Sequence, residues 1–166
     1  DGRSLLGVVG INNILHEMIG ECTFSDLKIP TALTAVDLES EEEVILKKGR
    51  VIDAILATIA LPGVFPPHLW DGRHLVDGGL LDPVPVQPAR LLAPGLPVVA
   101  SVLSSTEPQP VNYLEPPPFL SGIPLVRQVA RLRVGQAFNI FIHSIDITSR
   151  YLTTMRLKLD QPEVII

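Results

Sequence analysis

A carboxylate followed by two glycines is the feature of this sequence that could most directly do chemistry. His74-Leu-Val-Asp77 is a short apolar run typical of a strand, and it leads into Gly78-Gly79. Glycines at this point turn the chain and leave room for a substrate or a second backbone. An acid at the carboxyl end of a strand lies where α/β folds place their sites. The alternative is that Asp71 and Asp77 are ordinary turn residues, because Asp and Gly favour turns for backbone reasons alone.

The four histidines do not complete a catalytic triad around this acid. His74 precedes Asp77 by three positions, which on a strand sends the two side chains to opposite faces. For His16, His68 and His143 we expect surface or packing roles. No two histidines are four residues apart, so the sequence predicts no metal site.

Three further acids are expected to serve the backbone rather than a site. Asp37 ends a predicted strand, Asp53 begins a predicted helix, and Asp82 precedes a proline. Each position fits a turn or cap role. The acidic run at 39–43 is consecutive, whereas a metal site needs ligands that converge from several directions. We therefore expect a solvated hairpin tip there.

Composition excludes several classes of protein. The 166 residues include 13 Lys and Arg against 18 Asp and Glu, a net charge of −5, whereas binding to nucleic acid needs a basic stripe. The single cysteine, Cys22, excludes a disulfide framework and a multi-cysteine zinc site and fits a reducing, cytoplasmic compartment. The longest uncharged run, Ala54–Trp70, is interrupted by prolines, so no transmembrane helix is expected.

Helical and strand patterns alternate along the chain, which is typical of the α/β class. The second half of 4–20 has a helical apolar face that stops at Gly20. The segment 97–103 is apolar enough for a strand buried on both faces of a parallel sheet. Five prolines in 106–118 predict a loop. We predict strands at 31–36, 43–47, 74–77, 97–103 and 163–166, and helices in 4–20, 51–61 and 124–159.

Four stretches carry a resemblance to a known family: Thr23–Pro30, Thr34–Leu38, Ala54–Pro67 and Asp71–Val86. In their order and spacing they resemble the bacterial type of the patatin-like phospholipase family. The resemblance implies a three-layer α/β fold with a mostly parallel central sheet. Residues 1–166 are then expected to form the C-terminal portion of a single patatin-like domain, incomplete at its N-terminal side.

The resemblance also implies a serine hydrolase that cleaves acyl esters of lipids with a Ser–Asp dyad and without a metal or organic cofactor. Asp77 matches the acid of that dyad. The candidate substrate-binding residues are Gly78 and Gly79, which leave room for a substrate, and Phe65, which ends an apolar stretch suited to acyl chains. Plain core packing is the alternative for Phe65. The family's serine lies in a Gly-x-Ser-x-Gly turn and its oxyanion amides in a glycine-rich loop, both before the matched region.

Neither of these two elements occurs in the sequence. None of the nine serines lies in a Gly-x-Ser-x-Gly setting, and around Ser4 the second glycine position is occupied by Leu6. Losing a single oxyanion donor lowers the rate about 10²–10³-fold, so we expect these residues alone to be inactive. The chain also starts at Asp1 rather than methionine. We therefore expect a fragment that supplies Asp77 to an intact enzyme.

The alternative function is a non-catalytic binding or assembly module that keeps the fold without the chemistry. The expected partner is a lipid or ester substrate. Peripheral contact with a membrane could use Arg127, Arg131 and Arg133, unless these form a solvated helix face. Without the early strands of the family's domain, the face around 97–103 is expected to lie uncovered. We therefore expect either a homo-oligomer or a missing N-terminal segment that covers it.

Overall fold

The computed structural model describes residues 8–103 and 133–166. These residues divide into two compact units, one made of 8–102 and 153–166, the other of 103 and 133–152. Four helices are described: α1 (Val8–Ile19), α2 (Val51–Thr58), α3 (Val86–Leu92) and α4 (Arg133–Asp160). Six strands are described: β1 (Leu33–Asp37), β2 (Glu43–Leu46), β3 (His68–Trp70), β4 (Arg73–Asp77), β5 (Val99–Ala100) and β6 (Val164–Ile165). Helices and strands alternate, so the predicted α/β class is confirmed.

Most predicted elements within the described residues are confirmed to within a few positions. Gly20 ends α1 as expected: its φ of +61° is left-handed, and its N–H donates to the His16 carbonyl at 2.9 Å. β3 and the short helix α3 were not predicted. The proline-rich loop at 106–118 and the beginning of the helix predicted at 124–159 lie outside the described residues, as do Arg127 and Arg131.

The main sheet has four strands in the order β2-β1-β4-β3, and every neighbouring pair is antiparallel. The expectation of a mostly parallel central sheet is therefore wrong for the described residues. Parallel neighbours need a crossover of about a dozen residues or more. Here β1 and β2 are joined by the short acidic segment at 38–42, and β3 and β4 by the turn Asp71-Gly72, where both residues have positive φ. The acidic run is thus a hairpin tip, as predicted.

Helix α2 packs on this sheet through small side chains. Ala54 and Ala57 of α2 are fully buried against Ala35 of β1 and Leu75 of β4. Alanine at both helix positions lets the helix backbone approach the strands closely. Phe24 and Trp70 pack around the edge of this cluster. The result is a closely packed helix-on-sheet layer in which the ends of β4 and α2 lie side by side.

A second, smaller cluster holds the C-terminal segment to the same unit. Val84, Val86 and Ala100 are buried, and Leu157 from the end of α4 packs against them. β5 and β6 form a separate parallel pair, with Val99 opposite Val164. The segment predicted at 97–103 as a strand buried on both faces is shorter and more open than expected. Val99 is 57% exposed and Leu103 is 99% exposed, because β6 is its only strand neighbour among the described residues.

Helix α4 is the longest described element, with 28 residues. In the second unit it buries Asn139 and Ile142, while Ile140, Phe141 and Ile147 are exposed. Charged residues recur along its length, and none of the described helices combines the length and apolar character needed to cross a bilayer.

Candidate functional site

The candidate acid lies where β4 ends. Asp77 is the last residue of β4, and a short 3₁₀ turn, Gly78–Leu80, follows at once. The Asp77 carboxylate caps this turn, because its Oδ1 accepts a hydrogen bond from the Gly79 N–H at 2.8 Å. The Asp77 N–H donates to the Ala60 carbonyl at 3.2 Å, beyond the end of α2. Asp77 is therefore fixed both by its backbone and by its side chain.

Gly78 is required by a close backbone approach rather than by an unusual backbone angle. A Cβ at this buried position would come within 2.6 Å of the Thr34 carbonyl oxygen and would also clash with the Thr34 hydroxyl. The same carbonyl accepts a hydrogen bond from the Thr58 hydroxyl at 2.7 Å. The missing side chain of Gly78 thus makes room for β1, a second backbone rather than a ligand.

Gly79 has a different environment. The three atoms nearest to a Cβ added at Gly79 all belong to the carboxylate of Asp77, with Oδ1 at 3.2 Å. Its described role is the N–H that it donates to that carboxylate.

The electrostatic setting of Asp77 favours a proton acceptor. Burial raises the pKa of Asp77 above its usual range, and the hydrogen bond from Gly79 opposes that shift. In the described part of the chain, no Lys, Arg or His side chain lies within ion-pair distance of Asp77. A half-buried carboxylate without a neighbouring cation holds a proton more readily than an exposed one. That property suits a general base or acid.

His74 does not pair with Asp77, as the spacing on the strand predicts. His74 is exposed, and its Nδ1 lies 3.2 Å from Oε1 of Glu39 on the neighbouring hairpin. The Nδ1 of His16 lies 3.4 Å from Oε1 of Glu21 at the surface. His143 contacts the Asn139 carbonyl within α4. None of these contacts makes a triad with Asp77.

Two of the other acids act as turn residues, as predicted. Asp37 Oδ1 accepts a hydrogen bond from the Glu39 N–H at 3.0 Å, and this bond lowers the pKa of Asp37. Asp82 Oδ1 accepts from the Val84 N–H at 3.2 Å, although burial raises the pKa of Asp82. In residues 8–103 and 133–166, no group of three or more His, Cys, Asp or Glu side chains could hold a metal ion.

Phe65 lines a small apolar cavity of about 60 Å³ between α1 and α2. Ile11, Leu56 and Ile59 contribute to the same cavity. Asp77 is not among its lining residues, so the structure does not bring Phe65 and Asp77 together around one described cavity. Ser4, the serine compared above with the Gly-x-Ser-x-Gly motif, lies outside the described residues.

A larger cavity, of about 750 Å³, was not anticipated from the sequence. It lies at the N-terminal end of α2, and its wall includes Lys47, Lys48, Arg50, Trp70 and Arg73. The signal that could have indicated it is the basic run Lys47-Lys48-Gly49-Arg50 just before a helix. Asp77 does not line this cavity either.

The fold and the site together define an α/β protein that carries a half-buried acid at the end of a sheet strand. The sequence profile of the patatin-like phospholipases matches residues 1–90. This chain therefore belongs to the patatin-like phospholipase family, which confirms the resemblance.

Mycobacterial relatives agree with this assignment. An NTE family protein of Mycobacterium bovis is 36% identical over 116 residues, covering 68% of this chain and 32% of the relative. An NTE family protein of Mycobacterium tuberculosis gives the same figures. A second NTE family protein of Mycobacterium tuberculosis is 28% identical over 75 residues, covering 45% of this chain and 13% of the relative. The chain thus spans about a third of the length of the first curated relatives that it matches.

Proposed function

We propose that Asp77 is the acid–base member of a Ser–Asp dyad in a lipid acyl hydrolase whose serine comes from residues outside this sequence. The observation that carries the proposal is the state of Asp77. It is half-buried at a strand end, it is held by the Gly79 N–H, and burial raises its pKa. A carboxylate of ordinary pKa is a weak base for a hydroxyl, so a raised pKa brings it closer to the task.

The dyad cleaves an ester in two stages, acylation of the serine and hydrolysis of the acyl-serine. The serine oxygen attacks the ester carbonyl carbon, its proton passes to Asp77, and the carbonyl electron pair moves onto the oxygen, which backbone amides stabilise. The intermediate then collapses, and the departing alkoxide takes the proton back from Asp77. Water attacks the resulting acyl-serine and gives a proton to Asp77. The serine leaves with that proton, and the fatty acid is released.

Support for lipid as the substrate comes from the family and from the apolar surface near Phe65. The curated relatives are described as NTE family proteins, and the family profile is that of phospholipases. The cavity lined by Phe65 is apolar apart from His68 and lies among α1, α2 and the proline turn at 66–67. We propose Phe65 and the Gly78-Gly79 turn as substrate-binding elements, with the turn acting through its backbone.

A non-catalytic binding or assembly module is the second candidate. The observation that favours it is the absence of a Gly-x-Ser-x-Gly turn from the 166 residues. Exposed apolar residues at β5 and β6, including Val99, Ile165 and Ile166, offer a surface for a second copy or for a further segment of the same protein.

Hydrolysis of a reporter ester distinguishes the two functions. We expect no ester hydrolysis by residues 1–166. A chain that extends upstream to include the family's serine turn is expected to hydrolyse the ester. In that longer chain, Asp77→Asn is expected to lower kcat/KM by roughly 10²–10⁴-fold. Asp146→Asn is the matched control, since it makes the same chemical change on an exposed face of α4. Equal kcat/KM values for Asp77→Asn and the control in the longer chain would overturn the proposed dyad. No ester hydrolysis by either chain would favour the binding module.

A further inference from the structure

The 750 Å³ cavity at the N-terminal end of α2 is a groove of the size that small ligands occupy. Its walls come from β2 and the turn after it, from the first turn of α2, from β3 and the turn after it, and from the first residue of β4. All of these elements belong to the first compact unit. We call this cavity the basic groove, after Lys47, Lys48, Arg50 and Arg73, which line it.

The charge of the basic groove is opposite to that of the protein. Four of the 13 Lys and Arg residues line it, against two acids, Asp53 and Asp71, while the whole chain carries a net charge of −5. Lys47 and Lys48 are exposed and form no ion pair with any residue in the described part of the chain. Two adjacent ammonium groups without partners at the rim of a cavity attract an anion.

Arg50 adds a second indication. Its Nε is buried and makes no hydrogen bond within the described residues. The nearest carboxylate oxygens, on Glu21 and Asp53, lie 3.4 Å and 3.6 Å from that nitrogen, close enough for charge pairing only. These two carboxylates hold the guanidinium in place beside the groove. Phosphate oxygens suit such a group, because guanidinium donors match their geometry.

Trp70 gives the basic groove a rigid aromatic wall. The far edge of the indole lies over Gly49, where an added Cβ would come within 3.4 Å of the ring. Gly49 has a φ of +80°, so the turn between β2 and α2 depends on glycine at this place. Trp70 also packs against the main core cluster. Beside it lies His68, whose pKa is lowered by burial, so its neutral ring can exchange hydrogen bonds with a polar ligand.

We propose that the basic groove binds a phosphate-bearing anion, with Lys47 and Lys48 at the rim, the guanidinium groups of Arg50 and Arg73 on the phosphate oxygens, and Trp70 against its uncharged part. The phosphate belongs either to a lipid headgroup or to a small soluble phosphate ester. Arg73 lies four residues before Asp77 on β4, about 13 Å along the strand. The proposal concerns binding alone and does not depend on the hydrolase proposed above.

The protein carries its own reporter for this test. Trp70 is the only tryptophan in the sequence, and it lines the groove, so tryptophan fluorescence reports on the surroundings of this one residue. One arm titrates the chain with sn-glycerol 3-phosphate. The other compares vesicles of phosphatidylglycerol and phosphatidylcholine with vesicles of phosphatidylcholine alone. A saturable change in the first arm identifies a soluble phosphate ester as sufficient, and a change only with the anionic vesicles identifies the lipid headgroup.

Charge-neutralising variants decide whether the groove is responsible. Lys47→Gln with Lys48→Gln is expected to raise the dissociation constant roughly 10- to 30-fold. Lys28→Gln with Lys158→Gln removes the same charge from exposed positions outside the groove and is expected to change it less than about threefold. Equal weakening by both double variants overturns the proposal, as does the absence of a saturable change in Trp70 emission in both arms. Asp77→Asn leaves the binding intact, so failure of the dyad and failure of this proposal are told apart.

Discussion

Asp77 and Gly78 are neighbours with different physical requirements. The carboxylate of Asp77 is partly withdrawn from water, and this burial raises its pKa. Gly78 needs the absence of a side chain, because the Thr34 backbone occupies that space. The close approach of Gly78 to Thr34 therefore helps to place Asp77 at the end of β4.

The pH dependence of stability should reveal the state of Asp77. A pKa raised in the folded state gives a contribution to stability that is complete below the unfolded pKa, near 3.8, and is lost as the pH rises through the folded pKa. Between about pH 3 and about pH 7, we expect the wild type to lose stability relative to Asp77→Asn. Urea unfolding of both proteins measures this difference. A constant difference, or one of opposite sign, contradicts the raised pKa.

Gly78→Ala is expected to lower the free energy of unfolding by about 1–3 kcal/mol, because the new methyl group must displace the Thr34 carbonyl or the turn. Gly10→Ala is the matched control. Gly10 lies within α1, and apart from the backbone of its own helix and its chain neighbours no atom lies within 4 Å of an added Cβ, so alanine there is expected to stabilise the helix by about 0.5–1 kcal/mol. Urea unfolding at neutral pH checks both, and a neutral Gly78→Ala would contradict the close approach.

At the level of elements, the last turns of α4 are tied to the segment that follows the Asp77 turn. Arg156 Nε lies 3.5 Å from Asp82 Oδ1, and Arg156 also donates to the Leu81 carbonyl at 3.3 Å. The backbone N–H groups of Leu81 and Asp82 donate to the Gly78 carbonyl at 3.1 Å and 3.0 Å. The helix thus supports the turn from its far side.

Arg156→Gln is expected to destabilise the protein by about 2–3 kcal/mol. The variant leaves Asp82, which is only 2% exposed, without its cation. Thermal or urea unfolding measures the loss.

Arg73→Gln serves as the control for Arg156→Gln. Asp37, the partner of Arg73, keeps its hydrogen bonds from Glu39 and Ser40, so a loss below about 1 kcal/mol is expected. Similar losses of unfolding free energy for the two variants would show that the ion pair between Arg156 and Asp82 has no special role in stability.

Glu163, just before β6, links Arg90 of α3 to Val98, the residue before β5. Its carboxylate accepts hydrogen bonds from the Val98 N–H at 2.6 Å and from Arg90 of α3 at 2.8 Å, and these bonds lower its pKa to about 2. A lowered pKa gives stability that is present above the unfolded value of 4.5 and is lost as the pH falls through about 2. We expect Glu163→Gln to reduce stability at neutral pH, with the difference from wild type shrinking on acidification. Urea unfolding across that range tests this, and a difference independent of pH would refute it.

For the molecule as a whole, the local features were predictable and the distant pairings were not. The Asp37–Glu43 hairpin, the stop at Gly20 and the strand before Asp77 follow from signals within a few residues. The antiparallel pairing of β1 with β4 joins segments about forty residues apart, and no local pattern encodes its direction. The basic groove was not predicted for the same reason, since Lys47 and Arg73 line one cavity only in the folded chain. Val99 looked like a buried strand residue, but hydropathy does not show which neighbours will cover it.

Exposed apolar residues at β5 and β6 lead to a prediction for the whole molecule. Val99, Ile165 and Ile166 are each more than half exposed. Such a surface normally finds a partner, so we expect the apparent mass in light scattering to rise with concentration. Ile165→Lys with Ile166→Lys is expected to reduce that rise, whereas Leu69→Lys on β3 is the exposed control. A monomer of 18.0 kDa at all concentrations would contradict the expectation.

The carbonyl of Thr34 limits how far this end of the sheet can move when a ligand binds. It receives the hydroxyl of Thr58 from α2 and abuts Gly78, while Ala60 beyond α2 holds the amide of Asp77. These links close a ring through helix, inner strand and acid, so none of the three can shift without breaking a hydrogen bond or opening a gap. In the proposed hydrolase, this end of the sheet is therefore preorganised, and the bound ester adapts its conformation to it.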